Sequence, residues 1–231
     1  MKKEKYFTEF EKILWLISVL VTGITFVLFD RSNFLYLIAS LIGVTFLILN
    51  AKGNPAGQFL TIVFSILYGY ISYSFAYYGE MITYLGMTAP MALLALISWL
   101  KHPYKGKKSQ VEVNRISKKE ICFMILLTIA VTILFYFILS FFNTANLIPS
   151  TVSVTTSFIA VYLTFRRSPY FALAYASNDA VLIILWAMAC MKDKSYISVL
   201  VCFAVFLIND LYGFINWKKM EKKQTEKSSE K

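Results

Sequence analysis

The sequence predicts an all-α, polytopic membrane protein with eight transmembrane helices. Composition is the first reason: 58% of the 231 residues are hydrophobic and 16% are charged, against about 45–50% and about 25% in soluble domains. The second is the recurrence of apolar runs near the roughly twenty residues that a helix needs to cross a bilayer. The third is where the charge sits. The net charge of +10 lies in the segments between the runs, where basic residues orient a membrane protein and meet anionic headgroups. That distribution argues against nucleic acid as a partner and makes the lipid bilayer the surface the charge serves.

Taken in order, the spans are Ile13–Phe29, Phe34–Leu49, Phe59–Tyr78, Ile82–Leu100, Glu120–Phe142, Thr151–Phe165, Tyr170–Met191 and Ser195–Trp217. The first opens after a mixed-charge stretch, MKKEKYFTEFEK, with no small-residue cleavage pattern behind it, so it reads as a helix rather than a cleavable signal. Short connections follow the first, second, third, sixth and seventh spans, as expected of packed antiparallel neighbours. The one substantial linker, KHPYKGKKSQVEVNRISKKE, separates the fourth and fifth spans and reads as a basic segment anchored at the lipid surface. The sixth span is short and rich in Thr and Ser. The tail KKMEKKQTEKSSEK is charged and reads as disordered. Cys122, Cys190 and Cys202 fall inside apolar segments without metal-ligand spacing, and they read as small hydrophobes with free thiols.

Lys and Arg counts set the orientation. With the N-terminus inside, 20 of the 23 basic residues fall in cytoplasmic segments, leaving only Arg31, Lys192 and Lys194 outside. Under the positive-inside rule both termini are cytoplasmic and the protein is a multi-pass protein of the cell membrane.

Polar residues inside the spans are the functional signal. Asn178 and Asp179 lie near the middle of Tyr170–Met191, where a carboxylate costs several kcal/mol unless it faces a cavity, a bundle interior or a partner. On a helix Tyr175, Asp179, Leu182 and Trp186 share a face, with Asn178 beside it. An acid, an amide, a phenol and an indole together suit a small polar ligand with a flat ring. The plain alternative is that Asn178 and Asp179 hold helices together by hydrogen bonds. Span three carries Thr61, Ser65, Tyr68 and Ser72 at the same spacing, with Tyr70, Tyr73, Tyr77 and Tyr78 crowding its outer half and Tyr84 across the loop, several of them as belt residues. Trp99 and Trp217 each precede a Lys and read as interfacial anchors. Span eight adds Asn209 and Asp210 toward its inner end, with Asn209 and Tyr212 on one side.

The punctuation repeats. Asn54-Pro55 after span two matches Ser168-Pro169 after span six at an offset of 114 residues, and Trp99 matches Trp217 at 118. Spans two to four and six to eight thus read as two three-helix repeats, made parallel by the fifth span, with a site at their interface. The chain divides accordingly into 1–33, the N-terminus with an extra helix; 34–100, the first repeat; 101–150, the linker and its helix; 151–217, the second repeat; and 218–231, the tail.

No GxxxxGK[ST], HExxH, CxxC or GxSxG occurs, and there is one histidine, so nothing assembles a hydrolase, an ATPase or a redox centre. No cofactor is called for. Two other classes stay open at this point: a substrate-binding membrane subunit that docks a separate ATPase through residues 101–119, and a membrane enzyme using Asp179 and Asp210 as a carboxylate pair or metal ligands.

NxxG before a Tyr-rich span, Arg166-Arg167-Ser168 leading into AYASNDAVLIILW, and a closing NDLYGFINWKK together resemble the PnuC-type nicotinamide riboside transporters over about residues 34–218. The resemblance implies a 3+1+3 core of parallel repeats, here with one extra N-terminal helix, and a homotrimer. It implies facilitated diffusion of nicotinamide riboside, trapped by a cytoplasmic kinase, with thiamine or deoxynucleosides as the substrates of related members. Many members carry a WxxW pair before the acid or amide; the matching positions here are Ala172 and Tyr175, which leaves ring stacking to Trp186. The expected roles are hydrogen bonding to ribose or base by Asp179 and Asn178, and ring packing by Tyr175 and Trp186. Ser65 and Tyr68 would close the site from the other repeat, and Asn209 would stand at the inner exit.

Overall fold

The computed structural model describes residues 6–31, 34–74, 78–144, 146–191 and 193–229. Tyr77, Lys192, Lys2, Lys3, Lys5 and Lys231 lie outside them. The helices are α1 (Glu9–Phe29), α2 (Phe34–Ala51), α3 (Pro55–Ser74), α4 (Tyr78–Lys101), α5 (Lys118–Phe141), α6 (Leu147–Phe165), α7 (Phe171–Cys190) and α8 (Ile197–Ser229), each long and apolar enough to cross a membrane. A two-stranded antiparallel hairpin, β1 (Pro103–Tyr104) and β2 (Lys107–Val111), sits between α4 and α5.

Local chemistry sets the ends. α1 starts earlier than the apolar run because Thr8 and Glu11 form a capping box, with Thr8 N donating to Glu11 Oε2 at 2.7 Å. The buried Glu11 then joins three elements: it pairs with Lys52 at 3.0 Å and accepts from the Tyr212 hydroxyl at 2.7 Å. α4 is interrupted by a π-helical segment, Thr83–Thr88, just before Pro90. Pro90 has no N–H to give and its ring crowds the preceding turn, so the chain widens there to keep its other bonds.

α2 and α6 end alike. Gly53 (φ 67°) and Arg167 (φ 56°) are both left-handed. Gly53 N bonds Asn50 O and Asn54 N bonds Leu49 O, while Arg167 N bonds Thr164 O and Ser168 N bonds Leu163 O. Every partner is shifted by 114 residues, and each set closes its helix by satisfying the last carbonyls. The linker ties the two caps together: Val111 N donates to Gly53 O and Asn114 N to Arg167 O.

Trp99 and Trp217 are fully buried rather than interfacial, which corrects the expectation of belt anchors. Their rings pack at 5.4 Å, and Phe171 lies 4.8 Å from Trp217. The indole N–H of Trp99 donates to Thr164 O on α6 at 2.9 Å, and that of Trp217 to Asn50 O on α2 at 2.7 Å. Each bonds the helix end of the other half, so the pair locks the basic end of the bundle. The tail is also corrected. α8 runs on to Ser229 and docks on the linker: Gln224 accepts from Val113 N at 2.8 Å and donates to Val111 O at 3.2 Å, and Glu221 pairs with Arg115 at 2.8 Å. Charges that face water on a disordered chain here find fixed partners, and the segment is helical as far as Ser229.

Candidate functional site

A cavity of about 590 Å³ opens between α2, α3, α4, α6, α7 and α8. It runs from Tyr78, Asn143 and Asp193, at the end away from the termini, to Asn50, Phe171 and Asp210. Its size lies within the range of small-molecule sites.

α7 supplies the polar wall. Asp179 is 4% exposed, and its Oδ2 has no hydrogen-bond partner among the described residues. The Asp179 and Asp210 side chains stand within hydrogen-bonding reach across the α7–α8 contact. Asn178 Oδ1 accepts from Thr156 Oγ1 at 2.9 Å and Ser153 Oγ at 3.1 Å on α6, which fixes the amide and leaves its NH2 as the donor a ligand can use. Tyr175 lines the cavity with its hydroxyl in reach of Thr164. Trp186 lies nearer the mouth, its ring 5.4 Å from that of Tyr196.

α3 supplies the aromatic wall. Tyr68 stacks on Phe64 at 5.6 Å and meets Tyr84 at 4.5 Å. The π segment of α4 turns Tyr84 into the cavity, so it is not a belt residue, whereas Tyr70 and Tyr73 stand exposed on the outside. Glu80 lines the same wall, held by the hydroxyls of Tyr68 and Ser72.

Two residues expected at the site are elsewhere. Ser65 is fully buried and does not line the cavity; its hydroxyl donates to Thr61 O at 2.8 Å on its own helix. Asn209 faces α1, donating to Ser18 Oγ and to Val205 O at 2.9 Å, so it pins α1 against α8 instead of guarding an exit. Its neighbour Asp210 takes the cavity position, because one step along a helix turns the side chain by about 100°. Asp210, Glu80 and Asn50 are among the wall residues that sequence reasoning left out of the site. Asp210 was visible as an acid inside a span, whereas Glu80 falls between the third and fourth expected spans and Asn50 just past the second.

Four carboxylates therefore line the cavity, from Glu80, Asp179, Asp193 and Asp210, and no Lys, Arg or His does so among the described residues. Asp193, at the mouth, accepts from Ser195 N at 2.8 Å, and the Ser195 amide and hydroxyl hold its carboxyl below the usual range.

The family model described as Nicotinamide mononucleotide transporter matches residues 33–219. The chain belongs to that family. It is thus a membrane transporter and not an enzyme, which removes the reading of Asp179 and Asp210 as a catalytic pair. Among relatives of this transporter family, the nicotinamide riboside transporter PnuC of Neisseria mucosa is 26% identical over 94% of this chain and 84% of its own. That of Haemophilus influenzae is 21% identical over 92% and 91%. The crystal structure of the vitamin B3 transporter PnuC shares the fold, with a TM-score of 0.81 at 24% identity over 94% of both chains.

Proposed function

We propose that this transporter carries nicotinamide riboside, or a close cationic relative, across the cell membrane. The observation that supports this reading best is Asp179: a buried acceptor on the cavity wall, facing Asp210, with Oδ2 lacking a protein donor. A buried acceptor without a donor is costly, so a ligand bearing hydroxyls and positive charge is the natural partner. Nicotinamide riboside is a ribosyl pyridinium cation. Asp179 meets the ribose hydroxyls, the Asn178 NH2 bonds the ring carboxamide, Tyr175 and Trp186 pack against the ring, and Tyr68 closes from α3. The family description names the mononucleotide, but its phosphate dianion would meet acidic residues, with Asp193 charged at the mouth, and no Lys, Arg or His among the described residues of the wall, which favours the nucleoside.

In this reading α2–α4 and α6–α8 are two parallel repeats that move against each other for alternating access. The 114-residue correspondence of the caps supports it. The termini and the basic linker are cytoplasmic, the exposed apolar faces of α1 and α5 meet lipid or the other copies of a homotrimer, and a cytoplasmic kinase traps the product.

The test is a thermal-shift titration of purified protein with nicotinamide riboside, its mononucleotide, thiamine and deoxynucleosides. A ligand of the folded state raises apparent stability as RT ln(1 + [L]/Kd). Stabilisation by the riboside alone, lost in Asp179→Ala, is the expected result. Stabilisation by the mononucleotide alone would overturn the electrostatic argument. A response to thiamine or a deoxynucleoside instead would reassign the substrate, and uptake that stops without a co-purifying ATPase would make the chain a subunit of a larger importer.

A further inference from the structure

The pairing of Asp179 with Asp210 carries a consequence beyond ligand recognition. The two carboxyls come from α7 and α8, lie within hydrogen-bonding reach of each other, and are both nine-tenths or more buried. The wall holds no basic residue among the described residues to balance them. Two like charges at such separation in a low-dielectric site do not both persist, so a carboxyl pair of this kind shares or retains protons. When a monovalent cation enters, the balance reverses, since one ionised carboxylate then neutralises it.

We propose that Asp179 and Asp210 form a proton-exchange site, protonated when the cavity is empty and releasing one proton when a cationic ligand arrives. This rests on the reading of the substrate as a pyridinium nucleoside. The O–H bond of one carboxyl breaks, the proton passes to water in the cavity, and the carboxylate left behind is matched by the ligand's charge. No electrons move. Asp179 Oδ2 is buried and has no protein donor among the described residues. The other titratable groups facing the pair are Tyr175 on α7, Tyr84 on α4 and Cys202 on α8. Glu80 lies beyond Tyr84, held by Tyr68 and Ser72, and Asp193 stays charged at the mouth. The site thus links occupancy by cations, and not by uncharged molecules of the same shape, to pH.

The experiment measures binding of nicotinamide riboside and of its uncharged dihydro form to the purified full-length protein between about pH 5 and pH 8, in two buffers of different ionisation enthalpy. The expected result is that affinity for the cation rises by up to about tenfold per pH unit where one proton is displaced, with a buffer-dependent heat, while the dihydro form shows neither. Asp210→Asn and Asp179→Asn each flatten the slope, and Glu80→Gln keeps it. Cation binding with no slope and no buffer-dependent heat overturns the exchange site and leaves the transporter assignment intact. A slope lost only in Glu80→Gln moves the proton to Glu80 and also overturns it. If nicotinamide riboside binds at no pH, the functional reading fails and the exchange site falls with it. The buffer heats on the wild-type protein decide the matter even where a variant fails to fold.

Discussion

α3 and α7 begin the same way and end up doing different work. Each follows a left-handed cap, at Gly53 or Arg167, with bonding partners shifted by 114 residues. Beyond the first turn of α3 the hydroxyls fold back on their own helix, Thr61 to Gly57 O at 2.9 Å and Ser65 to Thr61 O at 2.8 Å. The corresponding positions of α7 are Tyr175 and Asp179, whose polar atoms reach away from the helix toward α6 and α8. A Ser or Thr hydroxyl can satisfy itself on the preceding turn of its own helix, whereas the Tyr175 hydroxyl at the end of its ring and the Asp179 carboxyl find their partners on neighbouring helices. The same spacing in the sequence thus yields a self-contained wall in one half and a ligand-seeking wall in the other.

The comparison can be broken at several points, in descending order of effect. Phe171, which packs against Trp99 and Trp217, corresponds to Gly57. Phe171→Ala is expected to cost about 3–5 kcal/mol by leaving a cavity, read as a lower melting temperature in detergent. Gly57 fails in the opposite direction. A Cβ there would lie 2.2 Å from Asn50 Oδ1 and 2.8 Å from the Asn50 backbone N, so Gly57→Ala should cost about 1–3 kcal/mol through overpacking. Asp179→Asn, at the ligand, should remove about 1.5–3 kcal/mol of binding, or roughly 10- to 100-fold in affinity, by calorimetry. Trp99→Phe and Trp217→Phe should each cost about 1 kcal/mol for the lost hydrogen bond, and near-equal losses would sharpen the equivalence of the two halves. The carbonyls they leave are not stranded, because Thr164 O and Asn50 O keep the Arg167 and Gly53 amides. Ser65→Ala should change stability by no more than about 0.5 kcal/mol and leave uptake unchanged; a large uptake defect would return Ser65 to the site.

Much of the fold was legible because membranes write plainly. The eight apolar runs, the Pro and Gly punctuation and the basic segments all correspond to elements or connections of the structure. The site was legible in part. Asp179, Asn178, Tyr175, Trp186 and Tyr68 line the cavity, but Ser65 and Asn209 do not. Trp99 and Trp217 misled because a Trp before Lys has the same signature at a lipid interface and in a buried helix crossing. Glu80 was missed because it falls between two expected spans, and Tyr84 because the widened turn before Pro90 shifts the helix phase, which no regular period describes.

By itself the sequence determined that this chain crosses a membrane on helices, where those helices break, and that acids lie at depth, since each follows from the cost of exposing backbone or charge to hydrocarbon. Only the tertiary structure decided which face of each helix looks inward. Lipid is as apolar as a packed core, so hydropathy does not tell the two apart. For the same reason it alone decided that Asp210 rather than Asn209 meets Asp179, across 31 residues of chain.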